Sequence, residues 1–186
     1  MANIYGTLGI SETRRERAEH DYYATDPLAA ELLMEIEHLS DDIWECACGE
    51  GNLAKVFIRG GHRVKCTDLI DRGFGDGGVD FLKQTETFHG DIITNPPYKY
   101  AQEFIEHALS LVEDGSKVCM FLKVQFLEGK RRRVLYETQP PKRIWVSSSR
   151  IPCWKPGGPT NGSMIAYAWY VWEKGWKGET TVKWFN

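Results

Sequence analysis

The chain has no apolar run long enough to cross a bilayer, and its first residues lack the charged and apolar regions of a secretion signal. It also lacks an excess of positive charge. The net charge of -3 at pH 7 argues against a protein that coats nucleic acid through bulk charge, although it allows a local basic patch. Internal repeats and low-complexity tracts are absent. We therefore expect a cytoplasmic globular protein, and 186 residues are enough for one domain with a full core.

The five cysteines are too few, and odd in number, for a disulfide framework. We expect reduced and mostly buried thiols, because Cys46, Cys48, Cys66 and Cys119 all fall in predicted strands, where cysteine packs as a small hydrophobic residue. A zinc site built on the first three is disfavoured, since Cys46-x-Cys48 is a shorter spacing than the two-residue gap of ordinary zinc knuckles. No metal is predicted.

The segment Asp91-Ile92-Ile93-Thr94-Asn95-Pro96-Pro97-Tyr98 joins a predicted buried strand to a rigid turn. Two successive prolines cannot donate to a sheet ladder, and Pro96 biases Asn95 away from helical geometry. The strand therefore ends there, at the carboxyl edge where open α/β sheets bind ligands. The Asn95 oxygen and the Pro96 carbonyl can accept hydrogen bonds from a planar NH2 group while Tyr98 stacks on the attached ring. Taken alone, the tetrapeptide could also be a plain Pro-Pro turn.

A glycine turn lies upstream, in Asp42-Ile43-Trp44-Glu45-Cys46-Ala47-Cys48-Gly49-Glu50-Gly51-Asn52. It follows a hydrophobic predicted strand and precedes a predicted helix with apolar residues at helical spacing. Gly49 and Gly51 would let the backbone approach a ligand closely before the helix begins. The turn lacks the third glycine of the dinucleotide fingerprint, so by itself it is weak evidence.

Together the two segments resemble the class I S-adenosylmethionine-dependent amino-methyltransferases, specifically the N6-adenine DNA methyltransferases and their small phage- and prophage-encoded members. Glu45-x-Ala47-Cys48-Gly49-x-Gly51 is similar to their cofactor loop, and Asn95-Pro96-Pro97-Tyr98 is similar to their catalytic motif. The resemblance covers about residues 20 to 172. Cys46 departs from the pattern, because relatives often carry proline there.

The resemblance implies S-adenosylmethionine as the cofactor. It places Glu45 near the methionine ammonium and the glycine loop against the carboxylate end. Asp68 would accept from the ribose hydroxyls, although it could be a plain strand-ending acid, and Asp80 would hold the adenine, with Asp71 and Asp76 as competitors. The segment Asp21-Tyr22-Tyr23-Ala24-Thr25-Asp26-Pro27, before the first predicted helix, is similar to the family's first cofactor-contacting segment, although Tyr22 or Tyr23 could instead be a helix-entry residue. The implied cofactor-binding residues are Tyr22, Tyr23, Thr25, Glu45, Ala47, Cys48, Gly49, Gly51, Asp68, Asp80, Phe81 and Asn95.

The implied catalytic residues are Asn95, Pro96, Pro97 and Tyr98. An aromatic exocyclic amine is a poor nucleophile, because its lone pair is delocalised into the ring. Hydrogen bonds to the Asn95 oxygen and the Pro96 carbonyl would favour a pyramidal nitrogen and aim its lone pair at the activated methyl group. Tyr98 would stack on a base flipped out of the duplex. No metal and no covalent nucleophile is needed.

The implied partner is duplex DNA, bound by a monomer or a dimer. Lys130, Arg131, Arg132 and Arg133 follow the fifth predicted strand and could contact phosphates, or they could form a solvated face. Trp154 and Asn161, in the Pro/Gly-rich loop 150–163, could touch bases, or this loop could be purely structural.

The chain leaves no room for a separate target-recognition domain, so the enzyme would read a short site or act on another substrate. RNA adenine methyltransferases and enzymes that methylate a glutamine amide of release factors share the catalytic motif and are alternatives. A non-catalytic nucleic-acid-binding module is a further alternative, which the intact motifs disfavour.

Alternating helices and strands predict a doubly wound, Rossmann-like α/β fold with a mostly parallel seven-stranded sheet and a C-terminal antiparallel hairpin. Residues 1–20 form a polar N-terminal segment, and residues 21–186 form the methyltransferase domain. Helices are predicted at 27–38, 52–60, 100–113 and from 130 onward. Strands are predicted at 43–48, 63–68, 90–94, 117–124, 143–147 and 164–172, with a short strand or turn at 79–82.

Overall fold

The computed structural model describes residues 22–154 and 165–186, so the predicted polar segment 1–20 lies outside the described residues. None of the helices in the described ranges is long and apolar enough to span a membrane. The helices and strands follow in the order β1 (Ala24–Thr25), α1 (Leu28–Ile36), β2 (Asp42–Glu45), α2 (Ala54–Arg59), β3 (Arg63–Cys66), β4 (Asp91–Thr94), α3 (Ala101–Leu111), β5 (Lys117–Lys123), α4 (Arg133–Thr138), β6 (Arg143–Ser147), β7 (Cys153–Trp154), β8 (Tyr167–Glu173) and β9 (Thr181–Phe185). Short 3-10 helices lie at Phe81–Lys83, Tyr98–Tyr100, Val124–Leu127 and Lys130–Arg132.

Seven strands form one sheet in the order β3-β2-β4-β5-β8-β6-β9. All of them run parallel except β8, which is antiparallel to both of its neighbours, β5 and β6. The predicted mostly parallel sheet and its antiparallel C-terminal pair are therefore confirmed. From β2 the chain places β3 on one side and β4 on the other, so the strand order reverses between β2 and β4. Open α/β sheets form a ligand crevice at such a switch point.

Alternate residues of the central strands face opposite layers of helices. In β5, Val118 and Met120 belong to the core cluster that includes residues of α3, whereas Cys119 and Phe121 belong to the cluster that includes residues of α1 and α2. Because helices cover both faces, the strand is apolar along nearly its whole length, which is typical of strands buried in doubly wound sheets.

One feature of the sheet differs from the sequence-based prediction, and one alternative that the sequence left open is resolved. The predicted short strand or turn at 79–82 is not a strand: a 3-10 helix begins at Phe81, and Asp80 caps it by accepting a 3.1 Å hydrogen bond from the Leu82 amide. The Phe81 ring packs edge-on against Trp44, so this segment enters the core without joining the sheet. The seventh strand is β9 at the sheet edge, which the prediction omitted and which pairs in parallel with β6.

A second, two-stranded antiparallel sheet was also not predicted. It pairs β1 with β7, with Thr25 opposite Cys153 and Ala24 opposite Trp154. The expectation that Cys46 and Cys48 lie in a strand was wrong, because β2 ends at Glu45 and both cysteines lie in the turn that follows.

Candidate functional site

A cleft of about 700 Å³ lies at the carboxyl ends of β2 and β4, at the switch point of the sheet. Its walls come from β1 and from the turns that follow β2, β3 and β4. The residues that line it are Tyr22, Tyr23, Ala24, Thr25, Glu45, Cys46, Ala47, Cys48, Asn52, Leu53, Asp68, Leu69, Ile70, Arg72, Val79, Asp80, Phe81, Leu82, Asn95, Pro96, Pro97, Tyr98, Lys99, Tyr100 and Phe104. The proposed catalytic residues and all the proposed cofactor residues other than the two glycines thus share one cleft.

Asn95 enters the cleft directly after β4, where the two prolines end the strand. Its amide nitrogen Nδ2 donates hydrogen bonds to Thr25 Oγ1 at 2.8 Å and to the Tyr23 carbonyl at 3.3 Å. Its oxygen Oδ1 is buried and has no hydrogen-bond partner among the described residues. An unsatisfied buried acceptor costs about 1–3 kcal/mol, which a donor on a bound ligand would recover. The geometry therefore leaves a ready acceptor at the point where the sequence predicted one.

The Tyr98 ring lies at the start of the turn after the prolines and is contacted from several sides. Its centroid is 5.5 Å from that of Tyr23 and 6.3 Å from that of Tyr167, and the Lys123 ammonium lies 4.5 Å above the ring. Its hydroxyl is buried beside Tyr167 and Cys153, and this burial raises the pKa of the phenol. A base that stacks on the face covered by Lys123 would displace that ammonium.

Glu45 is a buried carboxylate in the wall of the cleft, with a residue exposure of 2%. Burial raises its pKa well above the ordinary value, an effect that the nearby Asp68 carboxylate strengthens and that the Ala54 backbone amide opposes. Within residues 22–154 and 165–186, its Oε2 atom has no hydrogen-bond partner. A buried, unpaired carboxylate is costly unless a cation pairs with it, so Glu45 suits a ligand with an ammonium group.

Asp68 also lies buried in the cleft wall, just beyond β3. Its Oδ2 atom accepts from the Gly49 amide and its Oδ1 atom accepts from the Ile70 amide, each at 2.8 Å. These bonds fix the carboxylate while each oxygen retains a further lone pair. Asp68 can therefore accept a hydrogen bond from a ligand hydroxyl without releasing either turn.

The two glycines of the turn after β2 have positive φ angles of 55° for Gly49 and 80° for Gly51, but neither lines the cleft. A Cβ atom on Gly49 would clash with the Tyr22 ring, and one on Gly51 would clash with the Phe74 ring. Glycine is required here because these aromatic rings pack against the backbone. The sequence predicted that a ligand would approach this turn closely. The space beside the two glycines is instead filled by the rings of Tyr22 and Phe74.

Among the acidic residues that competed for the adenine position, only Asp80 lines the cleft. Asp71 instead accepts a 2.9 Å hydrogen bond from the Gly73 amide, and Asp76 is exposed. Asp80 also pairs with Lys83 at 3.0 Å at the surface.

The basic run is less uniform than its sequence indicates. Arg133 pairs with Glu137 at 2.6 Å, and Arg132 donates to the Glu128 carbonyl and lies 4.6 Å above the Phe126 ring. Lys130 and Arg131 are exposed. Within the described ranges, Lys130 and Arg131 are therefore the two cations of the run that are exposed to solvent without an ion pair, hydrogen bond or ring contact of this kind.

The two loop residues proposed to touch bases have different outcomes. Trp154 is half-buried in β7, opposite Ala24 of β1, and does not line the cleft. Asn161 lies outside the described residues.

Sequence reasoning missed several residues of the site. Asn52 lines the cleft and donates a 3.2 Å hydrogen bond to the Thr25 carbonyl, and the Arg72 guanidinium stacks 4.0 Å above the Tyr22 ring. The Cys153 sulfur lies 3.9 Å from both Asn95 Nδ2 and Thr25 Oγ1, and burial raises the pKa of its thiol to about 11. The position of Asn52 after the glycine turn was a usable signal, whereas no local pattern marks Arg72 or Cys153.

No protein-family model matches the sequence, and a comparison with curated proteins finds no match. Solved structures do match. A Listeria monocytogenes protein described as a class I S-adenosylmethionine-dependent methyltransferase aligns with a TM-score of 0.60 at 13% identity, over 85% of this chain and 63% of that protein. A Pyrococcus horikoshii protein described as an RNA methyltransferase aligns with a TM-score of 0.58 at 14% identity, over 83% of this chain and 88% of that protein.

A third match is the Burkholderia thailandensis 1,6-didemethyltoxoflavin-N1-methyltransferase, solved with 1,6-didemethyltoxoflavin and S-adenosylhomocysteine bound. It aligns with a TM-score of 0.54 at 12% identity, over 80% of this chain and 76% of that protein. At such low identity these similarities show the fold alone, and the chain spans less than two thirds of the length of the Listeria protein. They confirm the predicted Rossmann-like architecture.

Proposed function

We propose that this protein transfers the methyl group of S-adenosylmethionine to the exocyclic N6 of adenine in DNA. The observation that carries the proposal is the buried Oδ1 atom of Asn95, which has no partner within the described residues and belongs to a residue that lines the cleft. A planar NH2 group is the donor that such an acceptor suits. The sequence motif around Asn95 independently indicates the same chemistry.

The cleft suits the cofactor in size and in chemistry. Its volume of about 700 Å³ lies within the range of about 300–1,000 Å³ typical of small-molecule sites. Glu45 would pair with the ammonium, Asp68 would accept from the ribose hydroxyls, and Asp80 with Phe81 would hold the adenine. The fold shared with a protein that was solved with S-adenosylhomocysteine bound supports this assignment.

The chain's own residues would prepare the amine for direct transfer. When bound, S-adenosylmethionine supplies a methyl group whose bond to sulfur breaks with both electrons left on the sulfur. Asn95 Oδ1 and the Pro96 carbonyl would accept from the amine, so that its lone pair forms the new bond to carbon and its surplus proton is lost to solvent. Their contribution is positioning and charge stabilisation, which require no metal and no covalent nucleophile.

Cations near Tyr98 favour a nucleic acid as the substrate. A smaller cavity of about 160 Å³ adjoins this ring and is lined by Lys123, Gln125 and Arg132 among other residues. The exposed Lys130 and Arg131 follow on the same side of the sheet, beyond the carboxyl end of β5. A flipped nucleotide that brings its base to Tyr98 would bring its phosphates toward these cations.

The test is to incubate the protein with methyl-labelled S-adenosylmethionine and a mixture of DNA, RNA and protein, and then to separate the fractions. The proposal predicts label in DNA. Label in RNA or in protein would retain the transferase chemistry and replace the substrate with an RNA adenine or a glutamine amide. Absence of any transfer, together with absence of saturable cofactor binding by calorimetry, would overturn the proposal in favour of a non-catalytic module.

A further inference from the structure

Thr25 lies beside Asn95 in the wall of the cleft. The residue is only 3% exposed and is held in β1 by pairing with Cys153 of β7. Its hydroxyl oxygen accepts the 2.8 Å hydrogen bond from Asn95 Nδ2, which is the shortest contact that this amide makes in the described ranges. The contact joins residues that are 70 positions apart in the sequence.

The neighbours of Asn95 determine the orientation of its side-chain amide, that is, the positions of Oδ1 and Nδ2. A carboxamide can rotate by half a turn and exchange its donor and acceptor ends, so its orientation must follow from its partners. The Tyr23 carbonyl, 3.3 Å away, can only accept, and therefore the NH2 end must face β1. Thr25 Oγ1 then accepts from the same NH2 group, which leaves Oδ1 as the end without a partner among the described residues.

Thr25 also connects this amide to the turn after β2. Its backbone carbonyl accepts a 3.2 Å hydrogen bond from the Asn52 side chain, and Asn52 directly follows the glycines of that turn. One residue thus bridges the wall assigned to the cofactor and the asparagine assigned to the substrate amine.

We propose that Thr25 is a positioning residue, whose hydroxyl holds the Asn95 amide with Oδ1 directed at the substrate amine. The inference rests on the proposed function. A half-turn of the amide would set its oxygen against the Tyr23 carbonyl and present NH2 to another NH2 group, and neither pair can form a hydrogen bond. Because the hydroxyl accepts the hydrogen bond from the Asn95 amide, its loss should reduce turnover by a larger factor than it reduces cofactor affinity.

The test compares Thr25→Val, which removes the hydroxyl at nearly constant shape, with Thr25→Ser, which keeps it. Thr25→Val should lower kcat about tenfold, the equivalent of one hydrogen bond, whereas Thr25→Ser should restore most of the rate. The matched control is Thr94→Val, the same change at a buried threonine one residue before Asn95, whose hydroxyl has no partner in the described part of the chain. This control should keep the wild-type rate. If Thr25→Val does not fold, Thr25→Ala removes the same hydroxyl and takes its place.

Two further measurements separate a positioning role from a merely structural one. In the Asn95→Ala background, Thr25→Val should have no additional effect on kcat, because the group that Thr25 orients is gone. The Asn95 side-chain NH2 signals, observed by NMR in asparagine-labelled protein, should shift in Thr25→Val and stay in place in Thr94→Val.

The outcomes that overturn the inference are distinct from those that overturn the function. Wild-type kcat in Thr25→Val, effects that add fully to those of Asn95→Ala, or unchanged Asn95 NH2 signals would remove Thr25 from this role. Wild-type turnover in Asn95→Ala itself would instead contradict the proposed mechanism. The NMR comparison still decides the role of Thr25 in that case.

Discussion

The Oδ2 atom of Asp68 accepts a 2.8 Å hydrogen bond from the backbone amide of Gly49, so the turn after β2 is tied to the end of β3. The other oxygen of the same carboxylate accepts from the Ile70 amide. The Asp68 carboxylate therefore holds two of the turns that line the cleft. Each of its two oxygens accepts a hydrogen bond from the backbone of one turn.

Replacement of Asp68 by asparagine should destabilise the protein. The new NH2 group must face either the Gly49 amide or the Ile70 amide, and two donors cannot form a hydrogen bond. The loss of one buried hydrogen bond should lower the free energy of unfolding by about 1–3 kcal/mol, measured by urea denaturation without cofactor. Asp80→Asn is the matched control, because asparagine can cap the 3-10 helix about as well as aspartate. Equal stabilities of the two variants would contradict the role assigned to Asp68.

Glu45→Gln should weaken cofactor binding and yet stabilise the cofactor-free protein. Removal of the charge deprives the ligand ammonium of its partner, which we expect to lower affinity by about 10- to 100-fold in calorimetry, the equivalent of a charged hydrogen bond of about 1.5–3 kcal/mol. Without the ligand, the buried carboxylate is a cost that glutamine avoids.

The pH dependence of the free energy of unfolding, measured without cofactor, tests the destabilisation by the buried Glu45 carboxylate separately from its effect on cofactor binding. Because burial raises the pKa of Glu45 above its ordinary value of 4.5, the folded state binds the proton more tightly than the unfolded state. The stabilisation that comes from this tighter proton binding is complete below pH 4.5. It is lost as the pH rises through the raised pKa of Glu45. Wild-type protein should therefore lose stability relative to Glu45→Gln over this rising pH range. A constant difference between the two proteins would be inconsistent with a buried, titrating Glu45.

Substitutions at Tyr98 should separate the ring from its hydroxyl. Tyr98→Phe removes only the buried hydroxyl and keeps the ring that would stack on the base, so turnover should change little. Tyr98→Ala should raise the free energy of the transition state by about 1–3 kcal/mol through loss of base stacking, measured as kcat/KM. Trp184→Ala, at an aromatic residue that is 66% exposed on the distant edge strand β9, should have no effect. If Tyr98→Ala retains the wild-type kcat/KM, Tyr98 does not stack on the substrate.

Charge reversal at Lys130 and Arg131 should weaken DNA binding across all sequences. These two cations are exposed, whereas Arg132 and Arg133 contact their own chain. Each lost phosphate contact should flatten the dependence of log K on log salt concentration by about 0.9. Lys177→Glu makes the same kind of change at the opposite edge of the sheet, beyond the carboxyl end of β8, and should leave the slope unchanged. Identical slopes for all these proteins would place the DNA surface elsewhere.

Features with a strong local signal could be predicted from the sequence. The two prolines after Asn95 end β4 wherever the strand lies, and a buried apolar strand such as β5 must be central in a sheet covered on both faces. The strand β6 (Arg143–Ser147) has the predicted bounds. β9 carried a usable signal in the β-branched and aromatic residues of Thr181-Val182-Lys183-Trp184-Phe185.

Contacts between distant segments could not be predicted. The bond from Asn95 to Thr25 and the proximity of Cys153 depend on how β1 and β7 pair beside the end of β4, and no local pattern encodes this pairing. For Gly51 the sequence required a close neighbour, but it could not distinguish a ligand from the Phe74 ring that fills the space. The segment 79–82 is short and apolar except for Asp80, and periodicity alone does not separate a strand from a 3-10 turn in so few residues.

The most direct test of the central claim is to identify the methylated product formed by wild-type protein and by Asn95→Ala. DNA is incubated with labelled S-adenosylmethionine and digested to nucleosides, which are separated by chromatography, while cofactor affinity is measured in parallel by calorimetry. We predict that the label elutes as N6-methyldeoxyadenosine, and that Asn95→Ala slows its formation by about 10²- to 10³-fold with little change in cofactor affinity. Label on another nucleoside, or an undiminished rate in Asn95→Ala, would contradict the account.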